Sequence, residues 1–162
     1  MAKEEQTLEK LKKDYEIIQK KHSLPDFEKL NEDFCIEKAV EFETEILIRE
    51  VRKFVGDKII NYMRFIENFI NPVNAPMFVF SIIKLLDAEE KKKLSEIYKE
   101  LMKKEIKFIE LDLEFDEEKE AEFIKDSYEF WQGIKKDLLE IMRKINSRWD
   151  DKSEANSKGY FG

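Results

Sequence analysis

Apolar residues recur along most of this chain at intervals of three and four, the spacing that gathers them on one face of an α-helix. Leu8, Leu11, Tyr15 and Ile18 predict a helix over residues 6–20, broken by His22, Ser23, Leu24 and Pro25. Phe27, Leu30 and Phe34 predict a short helix, followed by a charged connection over 37–43. A second long helix is expected over 44–70 and stops at Asn71 and Pro72, with Leu47, Val51, Phe54 and Phe65 on its buried face. Asn74, Ala75 and Pro76 can open a short apolar helix through Leu86, although residues 77–83 alone read equally as a buried strand.

Asp87 stands three residues before Glu90, the spacing of a capping box, and Leu94, Ile97, Tyr98, Leu101 and Phe108 follow in helical register. From Ile109 to Phe115 the pattern drifts toward alternation, but no partner strand is visible, so helix is retained. A last long helix is expected over 117–149, burying Trp131, Leu138 and Ile145. Wide apolar faces on about four long helices, with short helices between them, predict an all-α antiparallel helical bundle. The expected organisation is one helical domain over 1–149 and a polar, disordered tail over 150–162, where Tyr160 and Phe161 would serve, if at all, as a docking motif.

Composition supports long helices: 41% of residues are charged, and only four glycines and three prolines interrupt the chain. The net charge of -7 argues against a wholly basic nucleic-acid binder. The longest uncharged stretch, residues 68–83, contains Pro72 and Pro76 and is shorter than the roughly 20 apolar residues of a membrane span, so no membrane helix is expected. A single cysteine forms no internal disulfide, and the first residues do not resemble a signal peptide, so the cytoplasm is the expected location.

Catalytic and metal chemistry find little to use. A zinc site or a di-iron bundle needs several histidines or cysteines, and the chain has one of each. His22, at a helix end, reads as a capping or solvent-exposed group, and Cys35, between Phe34 and Ile36, as a buried structural thiol. The acids from Asp112 to Glu122 lack EF-hand spacing and read as charge gathered at a helix N-terminus. Gly56 and Gly133 are isolated in helical patterns, where each marks either a close approach or a kink. No catalytic residue, metal or cofactor is therefore expected, and the chain reads as not an enzyme.

Two groups of charged residues remain. Arg49, Arg52, Lys53 and Arg64 share one side of the 44–70 helix and form a candidate partner-binding face. Lys58, Glu105, Asp112 and Lys135 intrude into apolar stripes, and a buried lone charge is costly. Either Lys58 or Lys135 pairs with Glu105 or Asp112, or the side chains extend outward along their stems.

Leu24, Pro25, Asp26, Phe27 and Glu28, then Ile48, Arg49, Glu50, Val51 and Arg52, and later residues 116–124, resemble a family of uncharacterised small archaeal helical proteins, a resemblance that implies no activity. The rhythm of residues 45–69 and 86–101 is similar to the helical domain of GINS replication subunits, with Arg49, Arg52 and Lys58 at that family's basic positions; their small β domain has no counterpart here. The leading expectation is a non-catalytic protein-interaction or scaffold protein whose partner is another protein. The alternative is a nucleic-acid-associated factor using the basic face, and the third is an enzyme built on carboxylates and lysines.

Overall fold

The computed structural model describes residues 2–41 and 46–158, with side chains for 7–41 and 46–152. Among the described residues every regular element is a helix: α1 (Ala2–His22), α2 (Phe27–Phe34), a 3-10 helix (Ile36–Glu41), α3 (Leu47–Ile70), a 3-10 helix (Pro72–Asn74), α4 (Met77–Ile83), α5 (Ala88–Leu113) and α6 (Glu117–Lys158). The fold is all-α, with four long helices and shorter ones between them, as the apolar spacing predicts. The ambiguous stretch 77–83 is helical, and α5 stays helical to Leu113.

Helix ends follow local chemistry. Ser23 takes a left-handed conformation (φ 55°) after α1, and the Leu24 amide returns to the Gln19 carbonyl at 3.1 Å, closing the helix in a Schellman-type turn. Cys35 does the same after α2 (φ 54°), its amide donating to the Asn31 carbonyl at 2.8 Å. That turn leaves the Cys35 side chain exposed while Phe34 and Ile36 fill the core, so the expected buried thiol is corrected. The capping box of α5 forms as expected: the Glu90 amide donates to Asp87 Oδ1 at 2.8 Å, and the Asp87 amide to Glu90 Oε2 at 3.0 Å. Helix α6 does not stop at Trp149 but continues to Lys158, so residues 150–158, read as disordered tail, extend the helix. Tyr160 and Phe161 lie outside the described residues.

The chain divides into two compact units, with the divisions falling inside α3, α5 and α6. Unit 1 comprises Met1–Asn61 and Met102–Trp131. Its core includes Tyr15, Leu30, Ile36, Val51, Val55, Ile59 and Ile124. Here α3 and α5 run antiparallel in close approach: Gly56 lies against the Phe108 ring, and a Cβ at Gly56 would sit 2.1 Å from that ring. The Phe108 and Phe123 rings, 6.1 Å apart, join α5 to α6. Tyr15 donates its hydroxyl to the Pro25 carbonyl at 2.6 Å and meets the Phe27 ring edge-on, fixing α1 to the start of α2.

Unit 2 comprises Tyr62–Leu101 and Gln132–Gly162. Ile66, Val79, Leu86, Leu94, Leu101, Leu138 and Ile141 are buried in it. Arg148 of α6 donates to the Leu85 carbonyl at 2.6 Å and to both oxygens of Glu90 at 2.6 and 3.0 Å, tying the α4–α5 connection to α6. Gly133 has open space around it: a Cβ there meets nothing within 4 Å.

Candidate interaction surface

Residues 68–83 of unit 2 carry no charged side chain in a chain that is 41% charged. Their local structure follows from two prolines. The Asn71 amide closes the last turn of α3 on the Glu67 carbonyl at 2.7 Å, after which Pro72 has no amide to continue it. Pro72 opens the 3-10 turn, Pro76 stands at the N-cap of α4, and the Val79 amide returns to the Pro76 carbonyl at 2.9 Å. The result is a seven-residue helix too short to be stable alone. It is pinned to the body mainly through Val79, its one buried residue.

Five other apolar side chains of this segment are exposed, while Phe69 is buried and Ile82 and Ile83 are half-buried. Met77 is 83% exposed, Val73 79% and Phe78 60%, with Phe80 and Ile70 also exposed. Beside them lies an apolar pocket of about 210 Å³, lined by Phe65 and Phe69 of α3, Phe78 and Ile82 of α4, and Met142 and Ile145 of α6. Phe65 and Phe69 pack edge-to-face at 5.0 Å in its wall. Phe65, expected to be buried, is 40% exposed because it fronts the pocket rather than a neighbouring helix, while Leu47 and Phe54 are half-buried. The signal that could have found this surface was the uncharged run itself.

The basic face of α3 does not form as expected. Arg52 is fully buried in unit 1, where its Nε donates to Glu120 Oε2 and its Nη2 to Asp112 Oδ1, both at 2.7 Å. Its guanidinium carbon stands 4.4 Å from the Phe108 centroid. Counting residues at 100° placed Arg52 opposite the apolar stripe, but in unit 1 that side of α3 is covered by α5 and α6. Arg52 is therefore closed to any partner. Arg49 is half-buried, donates to the Asp112 carbonyl at 3.2 Å and stacks over Phe115. Lys53 pairs with Glu50 on the same helix at 3.0 Å. Arg64 is exposed and belongs to unit 2.

A buried polar contact exists around Arg52 and Glu120, and of the four predicted residues it includes Asp112. Asp112 takes Arg52 rather than a lysine. Lys58 donates to the backbone carbonyl of Asp33, with its ammonium 5.3 Å from the Trp131 centroid. Glu105 is half-exposed and Lys135 exposed. Burial raises the pKa of Glu120, against the hydrogen bond and charge of Arg52, which lower it. Arg52 Nη1 and Glu120 Oε1 are buried without a hydrogen-bond partner.

His22, expected to cap a helix or face solvent, is buried, with Nε2 2.9 Å from Glu117 Oε1. Lys21 donates to the same carboxylate at 2.8 Å; Lys21 and then His22 hold Glu117 below the usual carboxylate range. The acidic run is thus shared among cations and caps: Asp112 and Glu120 with Arg52, Asp116 with the Lys119 amide, Glu117 with Lys21 and His22. Among the described residues no group of three or more His, Cys, Asp or Glu is placed to hold a metal ion, and no helix is long and apolar enough to cross a membrane.

No family model, curated protein or solved structure matches this chain.

Proposed function

We propose that this protein is a non-catalytic interaction protein that engages another polypeptide through residues 68–83 of unit 2. The observation that carries the reading is the exposure of Met77 and Phe78 beside an apolar pocket, within the longest uncharged stretch of a highly charged sequence. Single exposed apolar residues are ordinary, but a contiguous group around a concave apolar site marks an interaction surface. Covering it returns about 25 cal/mol for each Å² of apolar area removed from water, with no charged side chain of the segment to desolvate. The test is photo-crosslinking in the producing cells, with a benzophenone amino acid in place of Phe78 or, as a control, of exposed Lys92 in the same unit. A discrete adduct from position 78 and none from position 92 is expected. No adduct from 78, or equal adducts from both, would overturn the reading.

A further inference from the structure

We infer that the polypeptide meeting this surface is a second copy of the same chain, an inference that rests on the reading of residues 68–83 as an interaction surface. Three observations select this occupant.

The surface carries both halves of a self-complementary contact. The pocket of about 210 Å³ is a hole lined by aromatic and aliphatic side chains. Met77, next in the chain to the pocket-lining Phe78, is a knob with most of its surface in solvent, and Val73 is a second. A two-fold contact uses one patch twice, so hole and knob must be neighbours, as Met77 is in sequence to pocket-lining Pro76 and Phe78. An unbranched thioether suits an irregular apolar hole.

The area is right for a stable pair. With about 200 Å² for a fully exposed aromatic or Met side chain and somewhat less for Val or Ile, the exposed parts of Phe65, Ile70, Val73, Met77, Phe78 and Phe80 amount to about 640 Å², at the low end of the roughly 600 to 1,000 Å² per partner in an interface of standard size.

Charge does not oppose a like partner at this segment. Each copy carries a net charge of -7, so two copies repel over most approaches. The uncharged segment is the one stretch of that length where they meet without placing like charges opposite one another. A partner selected by charge would find nothing in residues 68–83 to select it. Interfaces between identical subunits are the more apolar class.

Sedimentation velocity on the full chain, over about 1 to 200 μM, tests this at the affinities open to an interface of this size. The expected result is a concentration-dependent shift from 19.6 kDa toward twice that mass. Met77→Asp and, separately, Val73→Asp should each raise the dissociation constant at least about tenfold by carrying an unpaired carboxylate into the contact, while Lys92→Glu should leave it unchanged. Unaltered helical circular dichroism in both Asp variants shows that folding is not what changed. A monomer at every concentration, or a dimer indifferent to both Asp variants, would refute self-pairing. If the chain is monomeric while the position-78 adduct holds a different polypeptide, self-pairing fails and the interaction reading stands; no adduct at all sinks both.

Discussion

Arg52 and Met77 occupy each other's expected places. In unit 1 a guanidinium, a permanently charged group, is sealed inside with Glu120; in unit 2 an apolar thioether stands almost wholly in water. The two cases differ in how the anomaly is compensated. Around Arg52 the compensation is internal: two carboxylates at 2.7 Å and an aromatic face replace the water that was lost. Around Met77 nothing within the described residues covers the side chain. The ion-paired charge belongs to the architecture of unit 1, although Arg52 Nη1 and Glu120 Oε1 stay without a hydrogen-bond partner, whereas the exposed thioether is where the proposed contact would act.

The contrast is broken most directly by removing one partner of the ion pair. Glu120→Leu should cost about 3 to 5 kcal/mol in urea unfolding, because it leaves Arg52 in the interior with only half-exposed Asp112 to answer it. The double variant Arg52→Met with Glu120→Leu should recover most of that loss, since packed apolar side chains replace a buried pair at little net cost. If the single change is harmless, the pair is not sealed as described.

The two internal glycines sharpen the same comparison at lower amplitude. Gly56→Ala forces a methyl into the Phe108 ring on which Arg52 stacks, and overpacking of this kind costs about 1 to 3 kcal/mol, partly offset by better helix propensity. Gly133→Ala meets open space and should stabilise by about 0.5 to 1 kcal/mol through propensity alone. Thermal melts of the two variants should therefore move in opposite directions.

Period and capping were legible in the sequence where one local rule decides the outcome. The spacing of Val51, Trp131 and Leu138 gave their burial, and Asp87 with Glu90 gave the start of α5. What stayed hidden depends on which helix lies beside which. Arg52 looks solvent-facing on an isolated α3 and becomes interior only once α5 and α6 cover that side. His22 looks like a helix end and becomes buried because Glu117, 95 residues on, reaches it. Phe65 fits the apolar stripe, but the residues before it have helical neighbours and it has a pocket. The uncharged run is visible in the sequence, but apolarity alone does not say which of its side chains are covered; its two prolines and short helix leave Met77 and Phe78 in solvent.

Two buried carboxylates give the comparison a pH dependence of opposite sign. Burial raises the pKa of Glu120 and outweighs Arg52 and Arg49, so the folded state binds its proton more tightly than the unfolded chain does. Its stabilising contribution is full below the ordinary glutamate value of about 4.3 and is lost as pH rises through the raised folded value. Burial also works to raise Glu90, but Arg148 and the Asp87 amide outweigh it and its pKa is lowered. The contribution of Glu90 is full above about 4.3 and is lost as pH falls through the folded value. Gln stands in for the protonated acid, so in urea titrations Glu120→Gln should gain stability relative to the unaltered chain as pH rises, whereas Glu90→Gln should lose it, both differences being smallest at low pH. Differences of the same sign would mean that burial does not dominate at Glu120.

The smallest effect on stability belongs to an exposed side chain. Met77→Lys removes a group that touches little of its own unit, at the first position of a short helix anchored by Val79. At concentrations well below any self-association, the unfolding free energy should change by no more than about 0.5 kcal/mol, the range of surface substitutions away from structural features. Val79→Ala, two residues on and buried, removes the anchor and should cost more, about 1 to 3 kcal/mol. At high concentration the order reverses if residues 68–83 are covered by a partner: the exposed position then governs assembly while the buried one governs folding. Should Met77→Lys destabilise the dilute chain as much as Val79→Ala, Met77 would be part of the folded core, and the contrast with Arg52 would disappear.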